Sequence, residues 1–356
     1  MYNLLNLTQI FFCFFSLLIP SFIPIKKGRP DKFNLIILYL FIFVCLFITI
    51  ITRDFKHLPD QNEYINFFQI YIKSGSNALS YVASLEPSFK LISSIVKYFF
   101  FSEVFMLFFI YTIIGFIIKN IYIYKLQTEN KYIFLSLLIY CSYFLILHDF
   151  IQIRVGAAIS FFWIAIKYKV EKKYVKEIIF LILSVFFHYS AVFGFIIIFL
   201  PYKTEWKTKL YILFLFIALI IAILHINIIS IFTFLPDVYL QKIKMYMNYK
   251  TDDFSIFSLS KLVRYFFIFI ILMNSKKIKN PYMLIFCKLY YFSIFFQLIF
   301  STIPVLPTRI SEFFRVSEIF VLPCLVSFFK EKNVIISILV IYCIYIFSFS
   351  ITKYIL

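Results

Sequence analysis

Four stretches of an otherwise apolar sequence carry side chains that could do chemistry. They are the segment 52–99, which begins TRDFKHLPDQNEY and ends SLEPSFKLISSIVKYF, then HDFIQIRVGAAISFF (148–162), FFHYSA (186–191) and PTRISEFFRVSE (307–318). An ionisable group costs about 2.5–3.5 kcal/mol at the centre of a bilayer, so each such cluster in or beside a membrane span is a candidate functional site.

Arginine is the residue type in these stretches that most restricts the chemistry. Its guanidinium keeps its charge in a protein, and its planar fork matches the oxygens of a phosphate. Arg154, Arg309 and Arg315 on one face of a membrane protein would therefore suit a lipid pyrophosphate.

Each cluster also has a simpler explanation. Arg154 could be an anchor that extends its charge to the interface, and Arg309 and Arg315 could pair with Glu312 and Glu318 on adjacent helix turns. His188 on its own could be a packed, hydrogen-bonded residue, and Asp60 could simply be solvated. These alternatives remain open on the sequence alone.

The composition determines which elements must position these residues. The chain has 356 residues, of which 63% are hydrophobic, 52 are Phe and 15% are charged, and its mean hydropathy is +0.94. One water-soluble core could not bury so much apolar surface. Apolar runs long enough to cross roughly 30 Å of hydrocarbon recur along the chain, which excludes β-barrel strands and leaves helices.

Basic residues lie in short clusters between the apolar runs, although the net charge of +18 could suggest nucleic acid. KKGRPDK (26–32), KVEKKYVK (169–176) and KKIK (276–279) show this arrangement, which is typical of cytoplasmic loops of a membrane protein. We therefore expect a membrane partner and no nucleic acid.

The charge pattern predicts an all-α, polytopic integral membrane bundle of about 11–12 transmembrane helices. It has one larger external loop, about 52–101, that carries amphipathic helices. The expected spans are 4–24, 33–51, 102–118, 131–147, 151–168, 209–235, 259–275, 282–303, 316–329 and 333–351, plus the segment 174–202. The turns 148–154 and 308–318 are then external, and residues 119–131 form a cytoplasmic loop.

The segment 174–202, which contains His188, has basic residues at both ends. If both ends are cytoplasmic, the chain must go out and return, and His188 lies at an external tip. Two legs of about 14 residues would each be only about 21 Å long. A single helix with a central histidine is the competing interpretation, but it breaks the inside–outside order downstream.

Other features limit the number of domains and the kinds of site. We expect a single integral domain, residues 1–356, whose first apolar run is an anchor with its N-terminus outside instead of a cleaved signal. We expect no cofactor and no metal site, because no His, Cys, Asp or Glu residues have ligand spacing.

Pro87 should start an amphipathic helix over 88–101 that lies along the membrane interface or lines the core. The six cysteines fall in apolar stretches and are expected to be small core residues: Cys13, Cys45, Cys141, Cys287, Cys324 and Cys343.

The order of these motifs resembles that of the EpsG/Wzy-type bacterial polysaccharide polymerases. The elements that carry the resemblance are Arg53, PDQNEY (59–64), EPSF (86–89), QIRVGAA (152–158), FHYSA (187–191) and RISEFF (309–314). The resemblance covers roughly residues 40–330, and QIR followed by FHYSA is its most specific part. Gln61 after Asp60 and Val155 after Arg154 depart from the usual pattern.

The resemblance implies a glycosyltransferase in the inner membrane of a bacterium that joins oligosaccharide units carried on undecaprenyl pyrophosphate, producing O-antigen, capsule or exopolysaccharide. Arginines would hold the leaving pyrophosphate, and a general base would deprotonate the acceptor hydroxyl. The candidate bases are Asp60, Glu86, Asp149 and His188. The candidate pyrophosphate or sugar contacts are Arg53, Gln152, Arg154, Arg309 and Arg315.

Other functions remain compatible with the sequence. A flippase or transporter of a polar lipid or solute would also need buried arginines, although paired halves and Gly/Pro-broken helices are not visible in this chain. An O-antigen ligase, an acyltransferase or a structural membrane protein are further alternatives. Partners beyond the lipid-linked oligosaccharide and membrane lipid, such as a chain-length regulator, are not specified.

Overall fold

The computed structural model describes residues 2–22, 32–51, 60–74, 85–101, 103–127, 132–202, 206–226, 255–303 and 305–354. Every regular element among these residues is a helix, which confirms the all-α prediction. The α-helices are α1 Tyr2–Phe22, α2 Lys32–Ile51, α3 Gln61–Ser74, α4 Pro87–Phe99, α5 Val104–Leu126, α6 Ile133–Ile139, α7 Ile153–Val170, α8 Tyr174–Phe187, α9 Ile196–Phe199, α10 Thr208–Ile223, α11 Leu259–Met273, α12 Pro281–Ile299, α13 Leu306–Arg315, α14 Glu318–Phe328 and α15 Lys332–Tyr354.

Several of these helices have the length and composition of membrane spans. Among the described residues, five are long and apolar enough: Asn34–Ile51, Val104–Leu126, Ile133–Ile151, Pro281–Ile299 and Lys332–Tyr354. Shorter apolar helices cover Thr8–Phe22, Tyr189–Phe199, Thr208–Ile223 and Glu318–Phe328. The protein is therefore a polytopic helical membrane protein, and most of its helices begin and end within a few residues of the predicted spans. Part of the predicted span 209–235 lies outside the described residues.

The helices pack in two compact units. In the first, residues 1–198 and 329–356, α7 packs against α5 and α8, and α1 packs against α2 and α6. In the second, residues 199–328, α12 packs against α10, α11, α13 and α14. The prediction that the chain is a single functional domain stays a prediction.

The chain reverses at His188, as the hairpin interpretation predicted. α8 ends at Phe187, a 3₁₀-helix covers Tyr189–Phe195, and α9 follows. Lys169, at the end of α7 and beside the start of α8, donates from Nζ to the Ile198 carbonyl at 3.0 Å, so the second leg returns to the level where the first began. With a rise of about 2.0 Å for each of the seven 3₁₀ residues and about 1.5 Å for each of the four residues of α9, the second leg is about 20 Å long, close to the roughly 21 Å of α8.

A π-helix, Tyr140–Ile151, continues α6 and ends at Gln152. Helices with i→i+5 hydrogen bonds are rare and occur mostly as single turns. The wide turn changes which side chains share a face. In an α-helix, residues nine apart lie about two and a half turns apart, on opposite faces, but here the Tyr140 hydroxyl donates to Asp149 Oδ2 at 2.5 Å.

Candidate functional site

Glu86, Arg154 and His188 meet in the first unit, although 68 and 102 residues separate Glu86 from its two partners. Nη1 of Arg154 donates to Glu86 Oε2, and His188 Nδ1 lies 2.8 Å from Glu86 Oε1. The three side chains are 12%, 15% and 5% exposed for Arg154, His188 and Glu86. The cluster therefore combines an acid, a cation and an imidazole with limited access to solvent.

Glu86 is positioned by the start of α4. Pro87 occupies the first turn of that helix, where its fixed φ angle fits and its missing N–H costs nothing. The Phe89 amide donates to the Glu86 carbonyl at 3.0 Å. The Glu86 side chain forms no cap with the helix it precedes, so its carboxylate is available to Arg154 and His188. The helix start predicted at Pro87 is confirmed.

His188 is positioned by the break between the two legs of the hairpin. Its backbone is extended, with φ −158° and ψ 128°, and the His188 carbonyl accepts from the Ala191 amide at 3.0 Å as the 3₁₀-helix begins. The hydroxyl of Tyr189 donates to the Leu85 carbonyl at 3.2 Å. This bond ties the tip of the hairpin directly to the residue before Glu86.

Arg154 lies in the first turn of α7, and two aromatic rings cover its guanidinium. Its Cζ is 4.5 Å from the centre of the Tyr64 ring and 5.7 Å from that of Phe89, distances that give favourable cation–π contact. Within the described residues, the buried Nε of Arg154 has no hydrogen-bond partner. The guanidinium has five donors, so it keeps donors for a ligand while it binds Glu86.

The electrostatics of the cluster keep Glu86 ionised. Burial raises the pKa of its carboxyl, but the Arg154 charge and the hydrogen bond from His188 together lower it by more. The resulting pKa is about 2. An ionised carboxylate can only accept hydrogen bonds, so Nδ1 of His188 must carry the proton of that bond. In the neutral imidazole, Nε2 is then the proton acceptor.

A second buried cluster lies beside the first in the same unit. Lys119 of α5 donates from Nζ to Asp149 Oδ1 at 2.6 Å, and Tyr140 donates to the other carboxylate oxygen. Both charged side chains are at most 1% exposed. A buried pair of this kind is stable only when its hydrogen bonds are satisfied, and both oxygens of Asp149 have a donor.

Two glycines make room for this second cluster. A Cβ on Gly115 would lie 2.7 Å from Asp149 Oδ1, and a Cβ on Gly156 would lie 2.0 Å from the His148 carbonyl oxygen. The close approach of α7 to the π-helix therefore requires glycine at position 156, where the contact is with backbone, whereas a side chain at position 115 would displace the Asp149 carboxylate.

Adjacent residues of α5 connect the two clusters. The Tyr111 hydroxyl is 2.9 Å from Ser88 Oγ, two residues after Glu86, and Thr112 Oγ1 donates to the Asp149 backbone carbonyl at 2.9 Å. The end of the π-helix, which precedes the turn with Arg154, and the start of α4 are thus held to the same part of one helix.

The second unit contains a different buried cluster, centred on Glu318. Nε of Arg264 lies 3.2 Å from Glu318 Oε1, and Nε of Arg315 lies 3.1 Å from the same oxygen. The Arg264 guanidinium also donates to Gln297 and Ser293, each at 2.9 Å. The pairing of Arg315 with Glu318, one of the simpler interpretations of the sequence, is confirmed.

Comparison with known families adds information that the geometry does not contain. The model of the EpsG family matches residues 38–356. The chain belongs to the EpsG family. Neither the comparison with curated proteins nor that with solved structures found a match. Membership supports a role of the polysaccharide-polymerase type, and all described members of the three clusters fall within the matched region.

The EpsG resemblance also singled out Gln152, Asp60 and Arg53. Gln152, half-buried, lies between the π-helix and α7, two residues before Arg154. Asp60 precedes α3 with a φ of 63°, and its carbonyl accepts from the Tyr64 amide at 3.2 Å. Arg53 lies outside the described residues. Their roles as a base or as contacts to the substrate stay predictions.

Arg309 and Arg315 both belong to α13 of the second unit. Arg309 is half-buried, and Arg315 is buried against Glu318. Their predicted convergence with Arg154 on one pyrophosphate stays a prediction.

Sequence reasoning missed several residues of the observed clusters. It placed Lys119 in a cytoplasmic loop, which is wrong, because α5 continues to Leu126 and buries Lys119 completely. It gave no role to Tyr64, although this residue ends the PDQNEY motif, nor to Arg264. The signal for Arg264 was a charge six residues into the run SLSKLVRYFFIFIILM. Within the described part of the chain, no group of three or more His, Cys, Asp or Glu side chains has the geometry of a metal site.

Proposed function

We propose that this EpsG-family protein polymerises oligosaccharide units linked to undecaprenyl pyrophosphate at the outer face of the bacterial cytoplasmic membrane. The product is an O-antigen, capsule or exopolysaccharide. The family match, the membrane helices and the Glu86–Arg154–His188 cluster support this proposal. The cluster carries it, because it offers the two functions that glycosyl transfer from a pyrophosphate needs.

The first function is proton removal. The acceptor hydroxyl oxygen attacks the anomeric carbon of the donor, and its proton passes to Nε2 of His188. Glu86 accepts the Nδ1 proton and so fixes the tautomer and the orientation of the ring, as the carboxylate does in a catalytic triad. A carboxylate with a pKa of about 2 is a weak base, so we assign Glu86 to positioning and His188 to catalysis.

The second function is stabilisation of the leaving group. As the bond between the anomeric carbon and the phosphate oxygen breaks, its electron pair leaves with the lipid pyrophosphate. Arg154 would bind these oxygens with the donors that Glu86 does not use. The rings of Tyr64 and Phe89 both contact the guanidinium, which limits the entropy lost on binding.

The other candidates take supporting roles in this proposal. Asp149 is neutralised by Lys119, so we assign it to the fold and not to proton removal. Arg53, Gln152, Arg309 and Arg315 are proposed contacts to the pyrophosphate or the sugars, and Asp60 is a second candidate base. A chain-length regulator is the proposed protein partner.

The test is replacement of the gene by variants in the native organism. His188→Ala and Arg154→Ala should abolish long-chain polysaccharide, as seen on gels, while lipid-linked single units accumulate in the outer leaflet, as measured by mass spectrometry and leaflet-specific labelling. His225→Ala, an exposed histidine in the second unit, is the control and should leave chain length unchanged. Immunoblots of membranes confirm equal amounts of protein.

Two results would contradict the proposal. Normal chain lengths in both site variants would remove the catalytic cluster. Accumulation of single units in the inner leaflet would instead show that the protein transports the lipid-linked unit.

A further inference from the structure

Helix α4 has three distinct faces. The first, formed by Ser88, Phe89, Ile92, Ser93 and Val96, is buried in the first unit. This face holds α4 against the first unit, and the N-terminus of α4 positions Glu86. The sequence left two positions open for this amphipathic segment, along the membrane interface or lining the protein core. This first face lines the core.

The second face packs against α3. Ser94 Oγ is 2.7 Å from the Tyr71 hydroxyl, and Lys97 donates from Nζ to the Ile72 carbonyl at 3.2 Å. Lys90 lies on the same side of the helix, four residues before Ser94. The two lysines, which are the charged residues of α4, are thus both on this face.

The third face points away from the described helices and is apolar. Leu91 is 54% exposed and Tyr98, two turns later on the same side, is 79% exposed. At the end of the helix, Phe99 is 74% exposed and Phe101 is 96% exposed. So much aromatic surface is unusual on the outside of a protein unless another apolar phase covers it.

The chain connects this face directly to a membrane span. The Glu103 amide donates to the Phe100 carbonyl at 3.0 Å, and the Met106 amide donates to the Glu103 carbonyl at 3.1 Å. This tight turn, with Phe101 in the left-handed region at φ 51°, leads at once into α5, which has the length and composition of a span. The C-terminal end of α4 must therefore lie close to the boundary of the hydrocarbon.

We propose that the third face of α4 lies in the phospholipid headgroup layer and that Tyr98, Phe99 and Phe101 anchor it there. Tyrosine is enriched at this depth because one end of its side chain can be apolar and the other wet, and the two phenylalanines add apolar surface that the acyl chains can cover. The absence of lysine from this face and its continuity with α5 favour lipid over a soluble partner. The proposal does not depend on the reaction; if the proposed function holds, the anchor fixes Glu86 at a constant depth relative to a lipid pyrophosphate.

Fluorescence quenching in lipid nanodiscs tests this proposal. Tyr98→Trp places a probe on the third face, and Glu63→Trp places one on the exposed side of α3 as a matched control. The two native tryptophans, Trp163 and Trp206, are buried, so the emission of the parent protein is subtracted. Phospholipid brominated near the top of its acyl chains reports contact with lipid, and acrylamide reports contact with water.

We expect bromolipid to remove most of the added emission of Tyr98→Trp and acrylamide to remove little, with the opposite result for Glu63→Trp. Quenching of Tyr98→Trp by acrylamide alone would overturn the proposal, and quenching by neither agent would show that protein covers the face. Phe101→Trp repeats the measurement beyond the helix end, so that misfolding of one variant does not leave the result undecided.

Discussion

Replacement of Glu86 by glutamine tests the arrangement of the candidate site most directly. Glutamine has almost the same shape, and its amide oxygen can still accept from Nδ1 of His188. What it removes is the negative charge beside Arg154, whose side chain is only 12% exposed. The variant therefore isolates the charge from the shape.

The pKa of Glu86 and the general cost of breaking a buried ion pair give two figures for the loss of stability. Lowering the pKa of Glu86 from 4.5 to about 2 corresponds to about 3 kcal/mol of stabilisation of the ionised form. Removing one partner of a buried ion pair costs roughly 3–5 kcal/mol because the other charge stays buried. The two figures agree, so we expect Glu86→Gln to lower the free energy of unfolding by about 3 kcal/mol.

This loss should depend on pH in a definite direction. The folded-state pKa of Glu86 lies below its usual value, so its contribution is fully present above pH 4.5 and is lost as the pH falls toward 2. The stability difference between the native protein and Glu86→Gln should therefore be constant near neutrality and shrink in that acid range.

A double variant separates stability from activity. Arg154→Met in the Glu86→Gln background removes the uncompensated charge, so thermal stability in detergent or nanodiscs should recover. Polymer formation should fall by roughly 10²- to 10⁴-fold in both the single and the double variant, because without the Glu86 charge the imidazolium that forms on His188 is no longer stabilised. Glu86→Gln with normal stability and normal chain length would refute the reasoning, and so would a double variant no more stable than the single one.

Four further substitutions test the buried clusters. Gly156→Ala should prevent folding, because its Cβ would lie 2.0 Å from a backbone oxygen. Gly115→Ala should destabilise the protein less, because its 2.7 Å contact is with a side chain. Size-exclusion profiles of the tagged variants would rank the two effects. Asp149→Asn leaves a buried ammonium without its counterion and should cost roughly 3–5 kcal/mol in thermal unfolding; an unchanged melting temperature would contradict the pair. Glu318→Gln leaves two buried arginines without their shared carboxylate and should destabilise the second unit, as judged by faster proteolysis there; equal rates would contradict the assignment.

Much of the helical framework could be predicted from the sequence. The length of apolar runs and the position of lysine clusters located α2, α7 and α12 to within a few residues, because the bilayer imposes both constraints locally. Charge parity alone also predicted the reversal at His188. The 3₁₀ form of the second leg was not predictable, since it depends on how that leg packs after the chain has turned.

The candidate site was only partly predictable. Its members Glu86, Arg154 and His188 were identified, since ionisable residues stand out in an apolar chain, but not their mutual contacts, which join residues far apart in sequence. Lys119 was misplaced for a related reason. When each residue is judged alone, a lysine marks the end of an apolar run. Here the carboxylate partner, Asp149, offsets the cost of burying the charge of Lys119.

The wide-turned helix at Tyr140–Ile151 makes the chain sensitive to length at that point. If these residues wound as an α-helix, Asp149 would turn away from Tyr140 and Lys119 would lose its counterion at the same time. Deleting one residue between them would have the same effect, whereas a deletion in a helix that faces only lipid would merely exchange one apolar side chain for another. The segment acts as a spacer with a fixed number of residues. We expect relatives to conserve that number more strictly than the identities of the residues.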